Sequence, residues 1–366
     1  MGSALRRRET LPTMLTRLEL CFVSCMIATG VAASGRQPAV TAQPEAIRAA
    51  FLKLIDRPRV ALEPTLRSRP ESGGLVAEEI SFATEAGQRV PTLLIKRSGP
   101  SRQPAVIVLH GTGGSKEGMA GRLRDLAAKG FVAVAIDGRY HGERAGASSE
   151  GMSPYLAAIL RTYRTGREHP FLYDTVWDVM RLIDYLETRP DVDRARIALT
   201  GISKGGMETY LAAAVDPRIA VAVPMIGVQS FRWALDHGAW DSRAWTLREA
   251  VDAAAKDAGS GVGAPFMRRF YDKVAPGVYG EFDGPSMLPL IAPRPLLVIN
   301  GDSDPRTPIG GVRACMAAAE QAYKVQGVPE RLVLHLQPDA GHQVTPEADR
   351  VALQWFERWL KSTGRS

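Results

Sequence analysis

The chain has 366 residues, 45% of them hydrophobic and 23% charged, with a formal net charge of +7. That composition excludes a disordered or fibrous chain and leaves room for one large α/β domain or two small ones. The basic excess is spread along the chain and falls to +5 without the first 33 residues, which carry four arginines and two glutamates, so nucleic-acid binding is not indicated.

Residues 1–33 read as a signal peptide. Arg6, Arg7, Arg8 and Arg17 precede an apolar stretch from Leu20 to Ala33 that ends in Val31-Ala32-Ala33, small residues suited to a signal peptidase. Met14 is a second candidate start, and Glu19 interrupts the label. The run is short for a bilayer span of about 20 apolar residues. Cleavage is therefore expected rather than anchoring, with the mature chain periplasmic or extracellular and without a stable membrane span. Cys21 and Cys25 would leave with the label, and Cys315 alone allows no internal disulfide. Cys315 sits in an alanine-rich helical pattern and reads as a small core residue.

Residues 34–74 form an N-terminal lead-in with a helix at 44–55, and 75–366 form the main domain. Strands at 77–84 and 89–96 flank the turn Glu85-Ala86-Gly87-Gln88 and predict a hairpin. Strand 105–109 precedes helix 117–129, and strand 131–136 precedes helix 171–188. Strand 196–200 leads to helix 204–215, and strand 219–225 leads into an insertion. Strand 295–300 precedes helix 309–324, and strand 331–337 precedes helix 346–361. Short, nearly continuous apolar strands alternating with helices predict a parallel sheet covered on both faces. Residues 138–170 and 228–290 break the alternation. The second stretch, a lid or cap insertion, holds Trp233, Trp240, Trp245, Phe266, Phe270, Tyr271, Tyr279 and Phe282. Most of these should pack the insertion's own core, and one or two would face the site.

The chemistry centres on Gly201-Ile202-Ser203-Lys204-Gly205, a G-x-S-x-G between a strand and a helix. That is the context of a nucleophile elbow, where a tight turn raises the serine oxygen above the sheet. A serine needs a base, and the base needs a group to hold it. In Asn300-Gly301-Asp302-Ser303-Asp304-Pro305, Asp304 is the preferred acid, and Asp302 is the competitor nearer the strand end. His342, in Asp339-Ala340-Gly341-His342, is the candidate base, in the order Ser, Asp, His. His110-Gly111-Thr112-Gly113-Gly114 follows the first central strand. The N–H groups of Thr112 and Lys204 are the candidate oxyanion donors. The Lys204 side chain is expected to point away from the serine, and Asp137 and His141 to brace their loop.

These pieces together resemble the α/β-hydrolase fold serine hydrolases. Within that superfamily the chain is similar to the dienelactone hydrolase, acetyl xylan esterase and prolyl-oligopeptidase-like group. Asp137-Gly138-Arg139-Tyr140-His141-Gly142 and Asp174-Thr175-Val176-Trp177-Asp178 add to the likeness, which covers roughly residues 75–362. The resemblance implies an eight-stranded, mostly parallel sheet with helices on both faces and a lid-like insertion, no metal and no cofactor. Dienelactone hydrolases proper use a cysteine nucleophile, and serine here points towards esters. The expectation is a secreted serine esterase acting on a small-molecule ester through an acyl-enzyme. A peptidase or amidase of the prolyl-oligopeptidase-like group and a non-catalytic hydrolase-fold binding protein are the alternatives. Oligomeric state is not read from the sequence.

Overall fold

The computed structural model describes residues 42–361 apart from Pro100 and Ser149. The expected signal peptide lies outside the described residues. One nine-stranded sheet organises the chain. Helix α1 (Ala42–Ile55) precedes strands β1 (Thr65–Pro70), β2 (Leu75–Glu85), β3 (Gln88–Arg97) and β4 (Gln103–Leu109). Then come α2 (Ala120–Ala128), β5 (Val132–Ile136), α3 (Pro154–Thr165) and α4 (Tyr173–Thr188). Next are β6 (Val192–Ile202), α5 (Lys204–Val215), β7 (Ile219–Met225), α6 (Phe231–Asp236), α7 (Arg248–Asp257), α8 (Ala264–Val274) and α9 (Gly284–Met287). The chain closes with β8 (Leu296–Gly301), α10 (Ile309–Val325), β9 (Leu332–Gln337) and α11 (Pro346–Phe356).

Strand order is β1-β2-β3-β5-β4-β6-β7-β8-β9. Pairing is antiparallel from β1 to β5 through β3 and parallel from β5 to β9. The ninth strand is β1, which the sequence reading leaves inside the lead-in. Its Thr-Leu-Arg-Ser-Arg-Pro carries no apolar run because it lies on the edge, and Leu66 is exposed there.

The inner strands are continuous in apolar residues because each face has its own core. In β4, Ala105, Ile107 and Leu109 pack with α4 and α5, while Val106 and Val108 pack with α2 and α11. In β5, Val132, Val134 and Ile136 join the first core, and Ala133 and Ala135 the second. Each valine or isoleucine buried this way contributes on the order of 1.5–3 kcal/mol.

Two consequences of this topology build the site. The sheet reverses its winding at β4, which has β5 on one side and β6 on the other, and open α/β sheets hold their ligands beyond the carboxyl ends at such a point. Leu109 pairs with Gly201 across β4 and β6, and Gly301 pairs with Gln337 across β8 and β9. The loops that follow these strands are therefore neighbours.

The two insertions pack against each other. Tyr163 of α3 stacks on Phe270 of α8 at 5.6 Å, and Tyr271 meets Phe171 at 5.5 Å and Phe231 at 5.3 Å. Phe266, Phe270, Tyr271, Tyr279 and Phe282 are all buried. Phe266, Phe270, Tyr271 and Tyr279 pack with one another and with the rings of the other insertion, as most were expected to, whereas Phe282 packs on Phe51 of α1 and Tyr173 of α4. Cys315 is fully buried in α10, and burial pushes its thiol up. No described helix is long and apolar enough to cross a membrane.

Candidate active site

Ser203 joins β6 to α5 with φ 56° and ψ −111°. A non-glycine residue held there costs of order 1–3 kcal/mol, a strain typical of functional turns. The surrounding glycines permit it. A Cβ on Gly201 would sit 2.3 Å from the Gly205 carbonyl oxygen, and one on Gly205 would sit 2.5 Å from that of Leu109. No side chain larger than hydrogen fits at either position. The Ser203 N–H donates to the Met225 carbonyl at 2.9 Å, which ties the turn to β7.

Three loops bring the expected residues together. His342 Nε2 lies 2.8 Å from Ser203 Oγ, and its Nδ1 lies 2.8 Å from Asp304 Oδ2. Asp304 Oδ1 accepts the N–H groups of Arg306 at 2.8 Å and Thr307 at 3.2 Å, and Oδ2 also accepts the Thr307 hydroxyl. Asp302, the competing acid, instead accepts the Ser303 hydroxyl at 2.9 Å and the Asp339 N–H at 3.2 Å, so it caps its turn.

The electrostatics suit proton transfer. Burial lowers the His342 pKa, and the charges of Arg243 and Arg306 add to it against the Asp304 hydrogen bond. Burial would raise the Asp304 carboxyl, but the bonds from His342 and Thr307 outweigh it and hold the group below its ordinary value. A neutral imidazole between an ionised carboxylate and a serine hydroxyl is ready to act as a base.

The candidate oxyanion residues flank Ser203. Lys204 opens α5, so its N–H has no carbonyl within that helix to bond. Its side chain turns inward, almost fully buried, and Nζ meets Glu208 Oε1 at 2.5 Å. Thr112 borders the cavity at Ser203. Its loop presses on the elbow, since a Cβ on Gly111 would lie 3.6 Å from Ser203 Cβ. His110 anchors that loop: Nε2 accepts the Gly138 N–H at 3.0 Å, and Nδ1 lies 2.7 Å from the Gly111 carbonyl. Only the neutral tautomer with its proton on Nδ1 makes both bonds. Burial, with the charge of Lys204, accordingly pushes His110 down to about 4.

Asp137 and His141 are both tied into the loop after β5. Asp137 Oδ1 accepts the Lys116 N–H at 2.8 Å, and Oδ2 accepts Lys116 Nζ at 3.1 Å and the Glu143 N–H at 3.0 Å. His141 Nδ1 lies 2.7 Å from the Arg139 carbonyl. Asp178, fully buried on α4, binds Arg139 at 2.9 Å and Arg144 at 2.7 Å, and their charges overcome burial to hold it well below the carboxylate range.

The cavity at Ser203 has a volume of about 300 Å³. Its wall includes Arg122, Ile226, Thr246, Arg306 and Val344, none of them anticipated, and no insertion aromatic lines it. Arg306 stands two residues after Asp304 and was visible as part of that loop. Arg122 on α2 and Thr246 in the cap have no local sequence signal, because distant chain segments deliver them. A larger cavity of about 490 Å³ opens between α2 and α11 and includes none of Ser203, Asp304 and His342. Among the described residues no cluster of His, Cys, Asp and Glu stands ready to hold a metal.

Sheet order, elbow and the Ser203–His342–Asp304 chain define an α/β-hydrolase fold with a serine-hydrolase-like site. The family described as "Glucuronyl esterase, fungi" matches residues 92–327, and the chain belongs to this family of carboxylic-ester hydrolases. A 4-O-methyl-glucuronoyl methylesterase 1 of Wolfiporia cocos (strain MD-104) is 29% identical over 165 residues, 42% of this chain and 37% of that one. The chain thus spans well under two thirds of that relative's length. A Bacillus subtilis (strain 168) protein named as a hydrolase is 26% identical over 326 residues, 84% of this chain and 95% of its own. Among solved structures, acetyl xylan esterase 1 from Thermoanaerobacterium sp. JW/SL YS485 superposes with a TM-score of 0.64 at 18% identity, covering 87% of this chain and 93% of that one. At that identity the likeness speaks for the fold.

Proposed function

We propose that the chain is a secreted serine esterase that hydrolyses carboxylic esters through an acyl-enzyme, and that its substrate is an ester of a uronic acid carried on a glycan. The reading rests on one observation, the two 2.8 Å hydrogen bonds that join Ser203 to His342 and His342 to Asp304. Family membership supports the substrate class.

Ser203 Oγ attacks the ester carbonyl as its proton passes to His342 Nε2. Asp304 keeps the other ring nitrogen protonated and steadies the imidazolium that forms. Charge on the carbonyl oxygen develops towards the N–H groups of Lys204 and Thr112, each such donor being worth roughly 3–4 kcal/mol in the transition state. His342 returns the proton to the leaving alcohol, then activates the water that hydrolyses the acyl-enzyme. Export follows from the signal-like residues 1–33.

The test is Ser203→Ala against 4-nitrophenyl acetate and the methyl ester of glucuronic acid. Turnover should fall by about 10⁶, the scale of a full triad knockout. Activity near that of the parent would end the reading, and so would failure of the parent to react with a fluorophosphonate.

A further inference from the structure

The site cavity is asymmetric in charge. At Ser203 its wall carries two guanidinium groups, Arg122 and Arg306. Arg122 is committed, because its Nε and terminal nitrogen grip Asp349 at 3.2 and 2.7 Å. Arg306 is not: among the described residues no carboxylate pairs with its guanidinium. Its backbone is nonetheless fixed, since its N–H bonds Asp304 at 2.8 Å and proline stands at 305 and 308 on either side. The cation is therefore anchored to the loop that supplies the triad acid. Its field reaches His342 and Arg243.

Past Thr112 and Thr246, which both cavities share, lies a second cavity of about 220 Å³. Its wall is uncharged in character: Tyr140, His141 and Tyr155 line it. Burial, with the charge of Lys204, keeps His141 neutral down to about 2, and the Tyr140 hydroxyl donates to Glu168 at 2.8 Å. Among the described residues lining the two cavities, an anion meets a cation free of a carboxylate partner at the Ser203 end, Arg306. A half-buried arginine left unpaired there has given up part of its hydration and stands to regain that energy from a ligand carboxylate, which the planar guanidinium matches in two-point geometry.

We infer that this site takes esters of molecules that also carry a free carboxylate near the scissile group, as a partly esterified acidic glycan does, and that Arg306 recognises that carboxylate. The inference rests on the esterase reading above and narrows it.

The test uses a graded series of alkanedioic acids, glutarate to suberate, each as monomethyl and dimethyl ester, with 4-nitrophenyl acetate as the reference substrate. The parent should prefer the monomethyl ester by about tenfold in kcat/KM at one chain length, the yield of one charge-assisted hydrogen bond. The preference should shrink as salt is raised from about 10 to 500 mM, as screening requires. In R306Q the ratio should fall to near unity, with the loss carried by KM of the monomethyl ester. In R306K part of it should remain. Both substrates use the same triad, so the ratio is insensitive to a general loss of fold. A parent that turns over 4-nitrophenyl acetate but shows no monomethyl preference at any length overturns the inference and leaves the esterase reading standing. A preference that survives in R306Q also overturns it. No turnover of any ester overturns both.

Discussion

Gly301 and Ala340 stand back to back. A Cβ on Gly301 would lie 2.2 Å from the Ala340 carbonyl oxygen and 2.4 Å from that of Gly341. The loops that carry Asp304 and His342 are thus pressed together through a missing side chain. Gly301→Ala must push them apart and stretch the bond between Asp304 and His342. The expected result is a fall in kcat/KM of at least about tenfold, together with the roughly 1–3 kcal/mol typical of overpacking. Steady-state kinetics and a thermal melt would check it, and parental kinetics would refute it.

The two acids of the loop after β8 separate cleanly by mutation. Asp304→Asn keeps the shape but favours the wrong imidazole tautomer, and kcat should drop by about 10⁴. Asp302→Asn removes only a turn cap and should stay within about threefold. Equal losses in both variants would contradict the assignment of the acid.

The activity should persist into mildly acidic solution. His342 must be neutral to accept the serine proton, and burial lowers its pKa from 6.5. The acid limb of kcat/KM should therefore have its midpoint below 6.5, with a plateau at neutral pH. A midpoint above 7 would mean that the imidazolium is favoured in the free enzyme, against the structure.

Stability should fall on acidification for a different reason. Burial, with the charge of Lys204, pushes His110 to about 4 and His141 to about 2. The unfolded chain takes up protons on these rings near pH 6.5, while the folded chain does not until much lower. Between these values the unfolded state binds more protons, so stability drops as pH falls from 6.5 towards 4. At pH 5 each ring accounts for about 2 kcal/mol relative to pH 7. Urea unfolding at the two pH values measures the total, to which His169 and His342, also lowered by burial, add with the same sign; His141→Gln should reduce it by about 2 kcal/mol.

The parts legible in the sequence were those written locally. The inner strands announced themselves because burial on both faces demands unbroken apolar runs, as in Val132–Ile136. The elbow was legible because only glycine tolerates the contacts at positions 201 and 205. Asp304 and His342 were singled out by chain order and by their loops, and the fold brings both side chains into one hydrogen-bonded row with Ser203. What escaped had no local signature. Strand β1 is polar because it lies at an edge, and Arg122 and Thr246 face the site only because separate segments converge there. The insertion's aromatics were visible, but sequence alone could not show that Phe266 and Phe270 would pack against Tyr163 of α3 while none of the rings of residues 228–290 lines the cavity at Ser203.

The outermost strand also bears on how the molecule behaves in company. Thr65 to Ser68 are exposed, and Arg67 puts a positive charge on that margin. A short border of this kind offers an incoming strand a like charge and little to bury, so copies meeting edge to edge gain nothing from zipping together. The segment that hid from pattern reading by being polar also guards the open flank of the sheet against polymerisation.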